Sequence, residues 1–333
     1  LKRNITEVLR RGLDTTIANW PVILLRITES VLFAGIVIAA ILAAVIPAVV
    51  AAGLSKDDIV NSADPGGAVL EWVTGHIMLF VWIFALGFIV LGVMIAIHSF
   101  IEGASTQIYV DAERAAKRRS SPTSPSPESE NPTGAVSRPD RPAQPRDDFR
   151  AFTFDRWLSG GASSWWRIFW VYNLAWSVSL IAVVVPLIIT MIAMLAVSDT
   201  VARVIIGCAG VGLAVLILIP VGIATSIWCK KAITICVARA MSANESLRLG
   251  WREFRADLGR HLAIAVIVFV LSMALNSLVS AFSVPMNITQ HKVPDLTLMF
   301  APVRIATGVL QGMIGAAVSS FFLACFVSMT EER

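Results

Sequence analysis

Apolar residues in this chain come in long unbroken runs, not in the alternating or striped patterns of a soluble domain. The uncharged runs span residues 31–52, 77–97, 174–197, 204–228, 262–284 and 305–329. Each exceeds the roughly 20 residues an α-helix needs to cross about 30 Å of hydrocarbon. A membrane β-barrel is excluded, because its strands are about half as long and alternate polar with apolar positions. The pattern predicts six transmembrane helices.

A second periodicity precedes some of these runs. Ile5, Leu9, Leu13, Ile17 and Trp20 form a stripe at helical spacing, with Arg10, Arg11 and Asp14 turned away from it. Leu247, Trp251, Phe254, Leu258 and Leu262 repeat the device against Arg248, Arg252 and Arg255. Such helices lie in the membrane interface. The middle copy, residues 154–170, is richer in aromatics and carries Trp157, Trp165, Trp166 and Trp170. Indole rings favour the headgroup boundary, so this segment marks the inner surface.

The three stretches share a glycine, at Leu9-Arg-Arg-Gly12, Trp157-Leu-Ser-Gly160 and Leu247-Arg-Leu-Gly250. Three similar Arg-ended tails close the units: residues 108–114 (IYVDAER), 233–239 (ITICVAR) and 327–333 (VSMTEER). Self-similarity of this kind is the signature of internal duplication. The expected fold is therefore an all-α polytopic membrane helix bundle, with six transmembrane helices in three repeated units of interfacial amphipathic helix plus transmembrane hairpin. Residues 1–119 hold the first unit and residues 149–333 the second and third. Between them, residues 120–148 are rich in proline, serine and charge and lack apolar anchors, which predicts a disordered cytoplasmic loop. Its Pro122/Pro125 and Pro139/Pro142/Pro145 have PxxP spacing, and the expected role is a solubilising spacer.

Charge then sets an orientation. With the N-terminus inside, the outer loops hold only Lys56, Arg203, Lys292 and Arg304 of the 27 basic residues. Both termini are expected to be cytoplasmic, in the inner membrane. The sequence pI near 9.1 then belongs to an inner surface that faces anionic lipid headgroups, and it is poor evidence for nucleic acid. A hydrophobic fraction of 56% with 15% charged residues also excludes a single soluble core. No cleavable leader is read at the N-terminus, where a charged amphipathic stretch runs into an anchor-length segment. Pro65, Gly66 and Gly67 predict a turn in the longer outer loop, residues 53–75. Asn287-Ile-Thr289 matches a glycosylation acceptor on the outer side, a match to which the bacterial look of the chain gives little meaning.

Candidate chemistry is sparse. His98 and Glu102, at i and i+4 near the inner end of the second span, have the spacing of a proton or cation pair. The alternative is a solvated helix end. Arg26 and Glu29 stand three apart where the first span begins, placed to pair with each other. Asn276 and Gln311 are the strongly polar residues at depth, and interhelical hydrogen bonding accounts for both. Pro47, Pro186 and Pro220 interrupt three spans, which leaves broken transport helices open. Gly308 and Gly312 form a GxxxG continued by Gly315, expected to pack within the bundle. Cys208, Cys229, Cys236 and Cys325 form no CxxC pair. Without an HExxH, Walker or GxSxG motif, the chain is read as no enzyme, and no catalytic residue, cofactor or metal site is assigned.

The stretch Ala238-Arg239 followed by Ser246-Leu-Arg-Leu-Gly-Trp-Arg-Glu-Phe-Arg-Ala-Asp-Leu-Gly-Arg260 resembles a broad bacterial group of six-helix integral membrane proteins. That group is similar to the membrane domain fused to some glycerophosphodiester phosphodiesterases. The resemblance implies a six-helix domain of repeated hairpins. It does not imply the phosphodiesterase activity, because no such catalytic domain is read in the sequence. The expected role is a non-catalytic scaffold or accessory subunit, with Arg248, Arg252 and Arg255 contacting anionic lipid and the inner face holding other membrane proteins. The rival is a transporter or channel for a lipidic or weakly polar solute.

Overall fold

The computed structural model describes residues 2–52, 75–119, 147–292 and 301–332. Residues 120–146 of the interrupting loop, with the PxxP prolines, and residues 53–74 of the outer loop lie outside the described residues. The described chain is helical, without a strand.

Helix boundaries follow from capping side chains. Asn4 opens α1 (Ile5–Ala18) by accepting from the Glu7 amide at 2.7 Å. Asn19 closes it, fully buried. Its amide donates to the carbonyls of Thr15 and Phe149, and its oxygen accepts from the amides of Ala151 and Phe152. A buried polar side chain is tolerated when its valences are filled in this way. Pro21, lacking an amide hydrogen, then begins α2 (Pro21–Ala52) at a position where none is needed. The long α3 (Ile77–Arg119) ends on Lys117, Arg118 and Arg119, cations that complement the partial negative charge of a helix C-terminus.

Thr153 caps α4 (Phe154–Ala196) and Asp199 caps α5 (Thr200–Ala238). Ala240, at φ 51°, turns the chain after α5 in the left-handed region that usually takes glycine. Ser242 and Glu245 then form a reciprocal capping box at the start of α6 (Ala243–Ala256). Such a cap contributes about 1 kcal/mol. The Ser242 hydroxyl, and after it the Ser242 amide, hold the Glu245 carboxyl below its usual range. The helix stops at Asp257, and α7 (Leu258–Lys292) and α8 (Ala301–Glu331) complete the fold.

That stop corrects one expectation. Leu258 and Leu262 belong to α7, so the apolar stripe from Leu247 does not run along one helix. The middle copy differs too, because α4 continues from the aromatic segment into the membrane without a break. The three prolines break nothing: α2, α4 and α5 pass through Pro47, Pro186 and Pro220. Asn287-Ile-Thr289 lies on the backbone of α7.

Among the described residues, six helices are long and apolar enough to span a membrane: Pro21–Pro47, Ile77–Arg119, Phe154–Ala196, Val201–Ala238, Leu258–Ala281 and Pro302–Glu331. The chain is thus an integral membrane protein, helical throughout its spans. With 43 residues, α4 is about 65 Å long at 1.5 Å per residue, twice the hydrocarbon thickness. One end must therefore project beyond the lipid.

Two compact units are distinguished, Leu1–Arg26 with Ser99–Arg333, and Ile27–His98. In the larger one, burial concentrates at one end of the helices. Val8, Ile227, Phe254, Ile264, Val268, Cys325, Phe326 and Met329 form one core cluster. Ile168, Val171, Ala175, Cys229, Ala232, Ile233, Val237 and Leu247 form another. Away from that end, side chains such as Leu180, Ile189, Leu216 and Phe269 stand exposed. Lipid is the solvent that suits them. In the smaller unit, the Trp82 indole donates to the Ala43 carbonyl at 3.4 Å, and Val31, Ile38, Phe84 and Phe88 are exposed.

Candidate functional site: paired buried charges

The buried end of the larger unit is built around carboxylates. Glu102 of α3 is fully buried. It accepts from Arg26 Nη2 at 2.6 Å and from Lys230 Nζ of α5. Arg26 also reaches Ser319 Oγ of α8 at 3.3 Å. Tyr109 and Ser320, both fully buried, sit beside this group.

Glu113, about three turns further along α3, is held by Arg11 at 2.8 Å and Arg3 at 3.3 Å. Arg3 also donates to the Ser328 carbonyl and hydroxyl, at 2.9 Å and 2.8 Å. Its backbone amide donates to Glu332. Glu253 of α6 takes Lys231 at 3.1 Å and Arg239 at 3.4 Å. Consecutive helical positions point about 100° apart, so Lys230 and Lys231 serve different carboxylates. Arg260 grips Glu332 through two contacts of 2.5 Å and 2.7 Å.

The segments containing the Arg-ended tails meet here. Arg114 donates to the Ala238 carbonyl at 2.6 Å and to Glu331 at 2.9 Å. Thr330 lies 3.0 Å from Thr234 and from Lys231. The helices preceding the tails receive the three matched glycines. A Cβ on Gly12 would stand 2.5 Å from Cys325 Sγ, one on Gly160 would stand 2.8 Å from Gln107 Cβ, and one on Gly250 would stand 3.1 Å from Ala232 Cα. Only a glycine permits these approaches without displacement.

The sequence candidates fall out differently. Glu102 is not at a solvated helix end, since its side chain is fully enclosed and holds two cations. His98, about one-third exposed, places Nδ1 2.5 Å from Glu29 Oε1 within the smaller unit. Arg248, Arg252 and Arg255 are all exposed, and Arg255 lies over the Trp251 ring at 5.9 Å. A Cβ added at Gly308, Gly312 or Gly315 would meet no atom within 4 Å among the described residues. Packing against a neighbouring described helix therefore does not account for these glycines. Gln311 does bond between helices, to Ser280 at 3.1 Å, whereas Asn276 is satisfied by Ser272 of its own helix. Cys229, Cys236 and Cys325 are buried and Cys208 is exposed.

Sequence reasoning missed Glu113, Lys230, Lys231, Glu253 and Glu332. One signal was present: the Ser242-Ala-Asn-Glu245 capping box fixes where α6 starts, and so which face carries Glu253 inward. Two apolar hollows flank α5. One, of about 800 Å³, is walled by α4, α5, α7 and α8 and offers Ser226, Ser272 and Ser319 among apolar side chains. The other, of about 420 Å³, lies between α4, α5 and α6. No family model, characterised protein or solved structure matches the chain.

Proposed function

We propose that the protein is a non-catalytic scaffold or accessory subunit of a bacterial inner membrane, holding partner proteins or anionic lipid along a basic cytoplasmic rim. The observation that carries this reading is that every one of these buried carboxylates is already held by cations. Glu102, Glu113, Glu253 and Glu332 are each gripped by Arg or Lys. A site that loads and releases a polar solute needs groups whose partners can be exchanged, whereas these carboxylates tie one helix to another. Arg248, Arg252 and Arg255 remain facing outward, where each basic residue contributes on the order of 1 kcal/mol at an anionic surface.

The three-unit repeat belongs to the same reading. It is supported by the way Gly12, Gly160 and Gly250 each seat an amphipathic segment on a helix that leads into one of the tails. The likeness to bacterial six-helix membrane proteins rests on residues 246–260.

The rival reading, a transporter of a lipidic or weakly polar solute, is favoured by the 800 Å³ hollow and its three serines. Recovery of the protein in mild detergent, with identification of what accompanies it, separates the two. Defined partner proteins in stable proportion are expected. A solute flux in reconstituted vesicles that disappears when Ala265→Trp fills the hollow would replace the scaffold with the transporter.

Orientation is tested independently. On a cysteine-free background, a cysteine at Ser126 should react with an impermeant reagent only from the cytoplasmic side, and one at Asp58 only from outside. Labelling of Ser126 in intact cells overturns the cytoplasmic assignment.

A further inference from the structure

The smaller hollow beside α5 differs from the other in its rim. Its walls are Val178 of α4, Val221 and Ala224 of α5 and Trp251 of α6, with Trp228 between them and Arg248 at the lip. Trp228 to Val221 covers seven helical positions, so the floor runs about 10 Å away from α6 along the spanning part of α5. Thr225, the polar residue on that floor, is already engaged by Ser179 at 2.6 Å. Below the lip the groove therefore offers only apolar surface.

The upper wall is held in place. The Trp228 indole donates to the Leu247 carbonyl at 2.9 Å, and its ring meets that of Trp251 edge-on at 5.4 Å. Neither ring has to be ordered when something enters, which lowers the cost of binding. Arg248 is the charged side chain on the groove. The nearby carboxylates are directed elsewhere: Glu245 to Ser242, and Glu253 to Lys231 and Arg239.

We propose that this groove is a specific site for one anionic phospholipid, its phosphate on Arg248 and one acyl chain laid along Trp228, Ala224, Val221 and Val178. The assignment rests on the reading of the basic rim as a lipid-facing surface and sharpens it to one residue. A cation above an apolar channel matches the headgroup-to-chain order of a phospholipid, and the channel runs along α4 and α5, two membrane-spanning helices, where a soluble peptide has no access. Arg252 and Arg255 are exposed on the same helix but off the groove. They serve as internal controls.

The test uses the full chain in nanodiscs of phosphatidylcholine with a minor fraction of phosphatidylglycerol, released for native mass spectrometry. One retained phosphatidylglycerol per chain is expected. Arg248→Gln should lower that retention about fivefold, the scale of one basic residue at an anionic surface. Val178→Trp, at an exposed position that tolerates bulk, should abolish it by filling the chain path, as should Ala224→Leu from the opposite wall. The double change Arg252→Gln with Arg255→Gln, which thins the rim charge but removes no side chain lining the groove, should lower it by less than Arg248→Gln alone. Retention indifferent to Arg248→Gln and to both filling variants overturns the site. If phosphatidylglycerol is then lost only with Arg252 and Arg255, the diffuse basic rim stands and the groove does not. If no arginine matters, both fail.

Discussion

Glu102→Ala is expected to destabilise the detergent-solubilised protein by about 3–5 kcal/mol, the usual cost of leaving a buried charge without its counterion. The change strands Arg26, whose side chain is 4% exposed, and Lys230. It is expected to lower the unfolding midpoint and the yield of monodisperse protein. Replacing the whole group tests what that group is for. Arg26→Met, Glu102→Leu and Lys230→Met together remove every charge at once, and such replacements are often neutral or stabilising. The triple variant should therefore recover most of the lost stability. If it folds but no longer recovers the partners that the native chain recovers, the charges do more than tie helices together, and the scaffold reading must place its contact there. A triple variant as unstable as Glu102→Ala would instead show that the cost lies in packing around residue 102.

Gly250→Val should cost about 1–3 kcal/mol by overpacking, while Gly312→Val should stay within about 0.5 kcal/mol of the native chain. At Gly250 the obstruction is backbone: a Cβ would sit 3.1 Å from Ala232 Cα and 3.2 Å from Ala232 N. Helix backbone cannot rotate out of the way as a side chain can, so α6 must lift off α5 and weaken the seat of Leu247. At Gly312 there is open space among the described residues. Thermal unfolding followed by fluorescence size-exclusion reads both. An equal effect at the two glycines would mean that the GxxxG of α8 meets a helix after all, in a second copy of the chain.

The spans are legible in the sequence because hydrocarbon thickness dictates run length, and no local competitor imitates 20 uncharged residues. The matched glycines are legible as a pattern, though not as contacts. What the sequence hides, it hides by separation. Arg26 and Lys230 lie 76 and 128 residues from Glu102, and nothing within one helix turn distinguishes a glutamate that will hold two distant cations from one facing water. His98 and Glu102 stand out in the sequence through their adjacency, yet the structure gives each a partner from another helix. Arg248, Arg252 and Arg255 are visible because an exposed face leaves a local periodic signature. The break at Asp257 leaves none, since the apolar spacing continues across it into Leu258 and Leu262.

The grip of Arg3 on Ser328 spans 325 residues, and Gly12 rests on Cys325. During synthesis, therefore, the first helix leaves the ribosome long before the surface that covers Val8, Thr15 and Thr16 exists. Through that interval both faces of α1 are open, the one that carries Val8 as well as the one that carries the exposed Leu13 and Ile17. A chain that stalls before residues 323–330 are made keeps Val8 without the core that Cys325, Phe326 and Met329 close over it.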